Sequence, residues 1–548
     1  MAIRKIKIEN YKIFDNFVLE LNTGLNILVG DNEVGKSTIL EAIHLALTGM
    51  INGKNLNSEL TQYLFNNTSV RKYIDSIKTN SPLPPPQIKI ELFFEECDEI
   101  TPLMGGINSD RDNSALGLIC IIALEPTPEY EELVKSGNIK TLPLEYYDAK
   151  WFTFADKQIS TKTIPIKSAL VDSSLARYQN GSDIYISRIV RQSLEPADVV
   201  KIAQAHRNML RVFVDDPSVD EINKKISSKA KITDREITLS VELLSKNAWE
   251  SSLVTCVDTI PFHHIGKGEQ CIIKTRLALA DKKAKDASVI LMEEPENHLT
   301  HTRLNHLLDT IADECEGRQV IMSTHSSFVA NKLGLENIIL LNNGGKKSRL
   351  TDLSNDTPNF FKKLPGYDTL RLVLAKKTIL VEGPSDELVV QKAYMAAHSG
   401  KLPISDGIDV ISVGTSFLRF LEIASRLDKC VAIVTDNDGK IDSLKIKYCQ
   451  YLGDKAKENI LISFDNNDRT PTENPIADYN YNTLENLMLI SNGLSAMNNI
   501  LGTSFISEND LRSFMKANKT ECALAAFEYV GGIKFPDYIT EAINHVCK

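Results

Sequence analysis

The chain has 548 residues, enough for about three domains of the commonest sizes. Its formal net charge of −10 argues against a protein that coats nucleic acid nonspecifically, although it is compatible with a local basic groove. The nine cysteines form no C-x-x-C pair and show no histidine spacing typical of zinc, so we expect reduced core residues. No apolar run reaches the roughly 18 residues of a membrane helix, and residues 1–8 alternate like an edge strand rather than a signal peptide. We therefore expect a cytoplasmic protein.

A glycine-rich loop near the start of the chain fits the pattern G-x-x-x-x-G-K-S/T. An apolar run at residues 25–29 predicts a buried strand before it, and residues 39–47 have helical periodicity after it. In such a unit the backbone N–H groups cradle phosphates, the lysine reaches the β- and γ-phosphates, and the serine ligates Mg²⁺. The alternative is a chance glycine turn. The pattern predicts an ATP site formed by Gly30, Asn32, Gly35, Lys36, Ser37 and Thr38.

The segments after this loop indicate the rest of an ATPase head. Gln62 is a candidate for the glutamine that links the nucleotide's metal or the attacking water to the head, and an exposed helix glutamine is the alternative. Residues 87–94 and 116–124 predict strands of an antiparallel sheet. From 160 to 232 the pattern changes to charged helices, which predicts an inserted dimerisation or arm element. We expect His206 to be a surface or capping residue there.

Three further motifs complete the ATPase pattern. Residues 264–270 resemble the signature L-S-x-G-E-Q, with Gly266 in place of the serine. Gly266, Gly268 and Glu269 are therefore candidates for binding the γ-phosphate of a nucleotide that the opposite subunit holds. A common glycine turn is the alternative. Residues 289–292 predict a buried strand that ends in Glu293, expected to hold Mg²⁺ through water, and Glu294, expected to polarise the attacking water. Another strand, at 319–323, leads to His325, a candidate γ-phosphate contact.

The order of these motifs, with a long interruption before the signature, resembles the split heads of SMC-like and RecF-like ATPases. In such heads two phosphate loops meet two signatures across a dimer. The resemblance therefore implies self-association through the heads.

A second cluster of acidic residues follows the ATPase pattern. One apolar strand ends at Glu382, and another, two strands later, ends at Asp436-Asn-Asp438. The carboxyl ends of parallel strands meet at one sheet edge, and hard oxygen ligands there bind Mg²⁺ or Mn²⁺. Strand-Glu-Gly followed by strand-Asp-x-Asp is similar to the TOPRIM fold of topoisomerases, primases and certain nucleases.

The whole chain resembles the overcoming lysogenization defect (OLD) family of ATP-dependent endonucleases. The resemblance implies an α/β fold in which a split ABC-type head with an inserted helical dimerisation region precedes a TOPRIM domain. We expect the N-terminal head at 1–159, the insertion at 160–232, the C-terminal head at 233–365 and the TOPRIM domain at 366–548.

The same resemblance assigns roles to residues of the second cluster. It implies Glu382 as the first metal carboxylate, with Asp386 and Glu387 as additional acids and Asp436 and Asp438 as the D-x-D ligands. It also makes Glu485, in a T-L-E segment, a further metal candidate. Lys519 would stabilise the transition state, with Lys516 as its competitor.

The expected activity is ATP-regulated, divalent-metal-dependent DNA cleavage or nicking in bacterial anti-phage defence. Family members form dimers or larger oligomers, some beside a helicase-like partner and some beside a reverse transcriptase with its small DNA in retrons. A non-cleaving ATP-driven DNA clamp or repair scaffold is the rival interpretation. A topoisomerase is a less expected alternative, because it needs a tyrosine in a separate DNA-gate domain.

Overall fold

The computed structural model describes residues 1–51, 54–77, 82–136, 139–172, 178–179, 182–183, 194–229, 240, 255–280, 288–314, 317–341, 347–350, 353–354, 356–469 and 476–548. The chain forms two compact units: Met1–Thr324 makes up most of the first, and His325–Asn342 with Lys346–Lys548 makes up the second. Among the described helices, none has the length and hydropathy that a membrane crossing requires.

The first unit contains a six-stranded antiparallel sheet with the strand order β2-β1-β6-β7-β8-β9. Alternating or continuous apolar residues bury one or both faces of these strands, as the sequence predicts. Two short strands, β4 (Met50–Ile51) and β5 (Lys54–Asn55), form a separate hairpin. The strands of the large sheet are β1 (Ile3–Tyr11), β2 (Phe14–Glu20), β6 (Ile88–Phe94), β7 (Gly117–Leu124), β8 (Tyr147–Thr153) and β9 (Gln158–Ile159).

Four parallel strands of the first unit carry the phosphate loop and the acidic pair. Their order is β10 (Ser168–Asp172), β15 (Val289–Glu293), β16 (Gln319–Ser323) and β3 (Leu25–Gly30). Their near-continuous apolar sequences fit a parallel sheet that is covered on both faces. Because β3 neighbours β16 and β16 neighbours β15, segments distant in sequence end at the same edge.

Strand β10 changes one predicted boundary. Ser168–Asp172 lies inside the predicted insertion of 160–232, yet each of its residues pairs in register with one of Val289–Glu293. The first part of the head therefore extends at least to Asp172, since a parallel strand belongs to the sheet that it pairs with. The predicted boundary at 232 lies outside the described residues.

The described part of the predicted insertion contains strands as well as helices: β10, and β11 (Tyr178–Gln179) paired with β12 (Ser182–Asp183). Helices α5 (Pro196–Val214) and α6 (Pro217–Lys229) follow each other directly, and His206 is buried rather than at the surface. Beyond the predicted insertion, β13 (Cys256–Val257) pairs with β14 (Ile260–Pro261). The other helices of this unit are α1 (Lys36–Thr48), α2 (Leu56–Glu59), α3 (Asn67–Ile77), α4 (Pro128–Ser136), α7 (Lys267–Ala280) and α8 (His301–Glu314).

The second unit is built around a four-stranded parallel sheet with the order β20-β19-β21-β22. The strands are β19 (Lys377–Val381), β20 (Ile408–Ser412), β21 (Cys430–Val434) and β22 (Ile460–Ser463). A hairpin, β17 (Ile338–Leu341) with β18 (Lys347–Arg349), precedes this sheet in sequence. The C-terminal helices pack on the sheet and bury one continuous apolar core.

The helices of the second unit begin before the predicted boundary at residue 365. Helix α9 starts at Ser327, and its buried Asn331 donates to the carbonyl oxygens of Pro365 (3.2 Å) and Tyr367 (2.7 Å). Hydrogen bonds therefore connect residues on the two sides of the predicted boundary. The helices are α9 (Ser327–Leu333), α10 (Asp356–Lys363), α11 (Thr369–Leu374), α12 (Pro384–Ala397), α13 (Phe417–Arg426), α14 (Ile441–Lys447), α15 (Leu484–Asn492), α16 (Leu494–Leu501), α17 (Glu508–Ala517), α18 (Lys519–Glu528) and α19 (Asp537–Cys547).

Candidate functional site

The phosphate loop joins β3 to α1 in a shape that requires glycine at its last turn. Gly35 precedes the helix with a φ of 97°, in the left-handed region that L side chains rarely adopt. A β-carbon there would lie 2.4 Å from the ring of Phe14. Gly35 therefore allows the loop to close tightly over the start of α1, where backbone N–H groups point out of the helix.

Lys36 lies folded over the loop. Its side chain is buried, and Nζ donates to the carbonyl oxygens of Gly30 and Asp31, both at 2.9 Å. Burial lowers the pKa of Lys36, against the opposing effect of Glu294, Asp31 and Glu293 nearby. The ammonium group thus lies against the loop and near the acidic end of β15, and its contact with phosphate stays a prediction.

The predicted Mg²⁺ ligands of the first unit lie side by side. The hydroxyl of Ser37 donates to Oε1 of Glu293, which ends β15. Glu294 follows with a positive φ of 42°; its amide donates to the carbonyl of Ser323 (3.0 Å), and Oε2 accepts from the side chain of Asn297 (2.8 Å). The fold therefore holds both carboxylates beside the phosphate loop in separate, fixed orientations. Their roles in metal binding and hydrolysis remain predictions.

The signature segment packs against the loop that follows Glu294. A β-carbon on Gly268 would lie 2.5 Å from the carbonyl oxygen of His298, whereas one on Gly266 would meet open space. Glu269 pairs with Arg303 at 3.0 Å. An open groove of about 520 Å³ lies along these residues. Arg303 is the contact that the sequence did not predict, because it lies beyond the motif in the first turn of α8.

The remaining predicted residues of the ATP site are less well defined by contacts. Gln62 lies in a 3₁₀ turn (Gln62–Leu64), and its Oε1 is buried without a hydrogen-bond partner among the described residues. Asn32 is exposed and Thr38 is buried. His325 is exposed and belongs to the second unit. The roles of these four residues stay predictions.

In the second unit the carboxyl ends of two neighbouring strands bring the predicted acids to one edge. Val381 of β19 pairs in register with Val434 of β21, and Glu382 and Asp436 follow these two residues closely. The parallel pairing of β19 with β21 therefore brings Glu382 and Asp436 to the same sheet edge, as the sequence pattern predicts. Helix α12 begins directly after Glu382-Gly383 and carries Asp386 in its first turn.

The carboxyl group of Asp436 is partly buried at this edge. Its Oδ2 accepts from the backbone N–H of Leu484 at 3.2 Å, while its Oδ1 is buried and has no hydrogen-bond partner among the described residues. Burial raises the pKa of Asp436, and the nearby charges of Asp386 and Glu485 raise it further. An unpartnered carboxylate oxygen is costly to bury, so this atom is well suited to a cation.

Asp386 shares the same surroundings. Burial raises its pKa to about 6, and the charges of Glu485 and Glu382 add to the shift. The backbone N–H of Gly383 donates to Oδ2 at 2.9 Å and acts in the opposite direction. This bond caps the start of α12 and fixes the carboxyl group towards the other acids.

Glu485 and Lys519 form the ion pair of this edge. Glu485 is only 8% exposed, and its Oε1 lies 3.1 Å from Nζ of Lys519. Burial acts to lower the pKa of Lys519, but the charges of Glu485, Asp436 and Asp386 raise it overall. Lys516, the competing candidate, instead donates to the carbonyl oxygen of Asp478 at 3.0 Å. The geometry therefore favours Lys519.

The surroundings of Asp438 and Glu387 differ from those of Asp386, Asp436 and Glu485. Asp438 is exposed, has a φ of 52°, and accepts from the side chain of Asn480 at 2.7 Å. Glu387, which the resemblance made an additional acid, has its pKa raised by burial, and its charged neighbours are Arg371 and Asp409 rather than the other predicted acids. Successive helix residues point in different directions, so Asp386 and Glu387 cannot share one site easily.

The donor set fits a hard divalent cation. Carboxylate oxygens are the ligands that Mg²⁺ and Mn²⁺ prefer, and the unpartnered Oδ1 of Asp436 would gain a partner. In the described part of the chain no group of three or more His, Cys, Asp or Glu side chains stands in ready ligand geometry. The fit of a divalent cation to this edge therefore rests on the oxygen ligands that the carboxylates offer and on the electrostatic effects between neighbouring acids.

Comparison with known families finds matches to two segments of the chain. Residues 5–288 match the model of an AAA domain, and residues 373–438 match the overcoming lysogenization defect protein-like TOPRIM domain. The chain belongs to the AAA-domain family and carries an OLD-like TOPRIM domain. This pairing confirms the predicted OLD-family resemblance and fold class. The matched domains are of kinds that use a nucleotide and divalent metal ions.

Curated proteins similar to this chain include RecF proteins of two organisms. The DNA replication and repair protein RecF of Clostridium botulinum (strain ATCC 19397 / Type A) is 29% identical over 118 residues, which are 20% of this chain and 31% of that protein. The chain thus spans about a third of the length of the first such relatives. RecF of Lachnoclostridium phytofermentans is 20% identical over 62% of this chain and 97% of its own length.

Solved structures similar to this chain include two SMC heads. The Thermotoga maritima SMC head domain is 12% identical, covers 64% of this chain and 98% of its own, and has a TM-score of 0.29. An Smc head with an extended coiled coil, bound to the C-terminal domain of ScpA derived from Pyrococcus furiosus, is 15% identical, covers 66% and 99%, and has a TM-score of 0.34.

The packing of the signature segment predicts unequal effects of two similar substitutions. We expect Gly268→Ala to slow ATP hydrolysis at least about tenfold, because the added methyl group pushes the signature away from His298 and misplaces catalytic groups. Gly266→Ala is the matched control, since nothing lies within 4 Å of its β-carbon. Steady-state ATPase rates of the two variants check this, and equal rates would contradict it.

The raised pKa of Asp386 predicts pH-dependent metal binding. The folded pKa of about 6 lies above the ordinary 3.8, so the metal-free protein loses stability as the pH rises through about 6. A bound cation attracts the Asp386 carboxyl group only when that group is ionised. The Mg²⁺-induced rise in melting temperature should therefore shrink steadily between pH 7.5 and pH 5.5. A rise that does not change with pH would exclude Asp386 from the site.

Proposed function

We propose that this protein is an ATP-regulated, divalent-metal-dependent endonuclease that cuts or nicks DNA. The observation that carries the proposal is the buried Oδ1 of Asp436, which lacks a partner among the described residues at a sheet edge shared with other acids. Such an arrangement stabilises a protein poorly by itself. Its cost is best explained by a metal-dependent reaction at that edge.

The TOPRIM acids would hold the metal, and Lys519 would act beside them. Glu382, Asp386, Asp436 and Asp438 are the proposed ligands, with Glu485 as a further one. A bound divalent cation would lower the pKa of a water molecule and neutralise charge on the phosphodiester group. Lys519, whose Nζ lies 3.1 Å from Oε1 of Glu485, would supply positive charge to stabilise the negative charge that develops in the transition state.

The head would bind and hydrolyse ATP to regulate that chemistry. The loop N–H groups and Lys36 would hold the phosphates, Ser37 and Glu293 the Mg²⁺, and Glu294 the attacking water. Two heads would associate so that the signature of one subunit, with Gly266, Gly268 and Glu269, meets the nucleotide of the other. Gln62 and His325 would contact the metal or water and the γ-phosphate.

The biological setting of the proposal follows the OLD-family resemblance. We infer a role in bacterial anti-phage defence, in a homodimer or higher oligomer. A helicase-like protein, or a reverse transcriptase with its small DNA, is the inferred type of accessory partner. The second candidate function is a non-cleaving ATP-driven DNA clamp or repair scaffold, which is favoured by the likeness of the head to RecF replication and repair proteins.

Substitution of the acids tests the nuclease directly. We expect Glu382→Ala and Asp436→Ala each to reduce plasmid cleavage with Mg²⁺ or Mn²⁺ by more than roughly 100-fold, since even outer partners of metal ligands typically contribute 10–100-fold. Glu387→Gln is the control, because it lies one residue from Asp386 but faces Arg371 and Asp409. Cleavage that survives both alanine substitutions would place the nuclease elsewhere, and no cleavage by the natural sequence would favour the clamp.

Two substitutions in the head separate nucleotide binding from hydrolysis. Lys36→Ala should abolish ATP binding, because the side chain that reaches the phosphates is lost. Glu294→Gln should retain ATP and accumulate associated heads, because the water is no longer polarised. Equilibrium binding of labelled ATP and size-exclusion chromatography with light scattering measure these results. Normal turnover in both variants would contradict the head assignment.

A further inference from the structure

Asp438 is the D-x-D acid that lies on an exposed turn. Its side chain is exposed, its backbone has a φ of 52°, and the next residue, Gly439, has a φ of 68°. An exposed side chain that rotates freely loses rotamer freedom when it ligates a cation, and this loss weakens binding. A contact that orients the Asp438 carboxylate beforehand would therefore strengthen a metal site at this edge.

Asn480 makes such a contact with Asp438. Its Nδ2 donates to Oδ1 of Asp438 at 2.7 Å. A second hydrogen bond sets the orientation of the amide, because Oδ1 of Asn480 accepts from the backbone N–H of Asn482 at 2.9 Å. With its oxygen towards that N–H, the amide presents its nitrogen to the carboxylate. A neutral amide orients a carboxylate without competing for its charge with a cation, as an ammonium group would.

The segment that carries Asn480 is connected to the same sheet edge at its other end. The backbone N–H of Leu484 donates to Oδ2 of Asp436 at 3.2 Å. The segment Asn480–Leu484 therefore holds both D-x-D acids, one through a side chain and the other through the backbone. It leads directly into α15, which carries Glu485 in its first turn. One short segment thus contacts or carries three of the proposed metal ligands.

We infer that Asn480 is a positioning residue for the TOPRIM metal site: its side-chain amide holds the Asp438 carboxylate in the orientation in which that group ligates a divalent cation. Groups that hydrogen-bond to a ligating side chain fix its orientation, and their loss typically weakens metal binding about 10–100-fold. The inference rests on the proposed metal site. It extends that site to a residue outside the D-x-D and T-L-E motifs.

A similar pair of side chains at the opposite end of the sheet provides a matched control. Asp428 also has a positive φ, of 53°, and its Oδ1 accepts from Nδ2 of Asn459 at 3.1 Å. Asp428 precedes β21 and Asn459 precedes β22, whereas the D-x-D acids follow β21. Replacing either asparagine therefore removes an exposed Asn–Asp hydrogen bond, but only that of Asn480 lies beside the proposed metal.

Mn²⁺ binding to the full-length protein without nucleotide, followed by electron paramagnetic resonance, tests this role. The Mn²⁺ binding that is lost in Asp436→Ala defines the site. We expect Asn480→Ala to weaken this binding roughly 10-fold or more, and Asn459→Ala to leave it unchanged. Asn480→Ser keeps an oxygen that can accept from the N–H of Asn482 but leaves Asp438 without its donor. It should therefore weaken binding as much as Asn480→Ala does.

A double substitution makes the test specific to the pair. Asn480→Ala should cause no further loss of Mn²⁺ affinity in a protein that already carries Asp438→Ala, because both changes remove the same interaction. Additive losses in the double variant, natural affinity in Asn480→Ala or Asn480→Ser, or an equal loss in Asn459→Ala would each overturn the inference alone. If Asp436→Ala removes no Mn²⁺ binding, the metal site itself fails, and the inference fails with it.

Discussion

The repulsion among carboxylates at the edge of the second parallel sheet is the constraint on which this structure depends. Burial raises the pKa of Asp386 and of Asp436, the charge of Glu485 raises both further, and one ammonium group, that of Lys519, lies beside Glu485. A fold that only had to be stable would replace these groups with apolar ones. Their cost is compensated only when positive charge is added, and a divalent cation supplies it most simply.

Both units deliver their acids in the same way. In the first, β15 lies beside β16, which lies beside β3, so Glu293 ends next to the phosphate loop and contacts Ser37. In the second, β19 and β21 run in register and end at Glu382 and Asp436. Parallel pairing brings residues that are distant in sequence to one edge, and the helices that follow β3 and β19 supply N–H groups there. The strand order of each sheet is therefore enough to place the acidic residues of each site at one edge.

Much of this could be predicted from the sequence, because phosphate loop, acidic strand ends and apolar runs are local patterns with fixed spacing. The strand at Ser168–Asp172 could not be predicted, because it is short and because its pairing with β15 depends on tertiary contacts with a segment distant in sequence. The direction of Glu387 and the contact between Glu269 and Arg303 depend on how helices pack, which spacing does not determine.

The most direct test of the account is the position of bound Mn²⁺ in crystals of the protein, read from anomalous scattering. The account predicts a peak in the second unit within about 2.0–2.6 Å of oxygens of Asp436 and of at least one of Glu382 and Asp386, the range of hard-cation bonds. The peak should vanish in Asp436→Ala. Absence of a peak at this edge in crystals that bind Mn²⁺ elsewhere would contradict the claim that these carboxylates form a metal site.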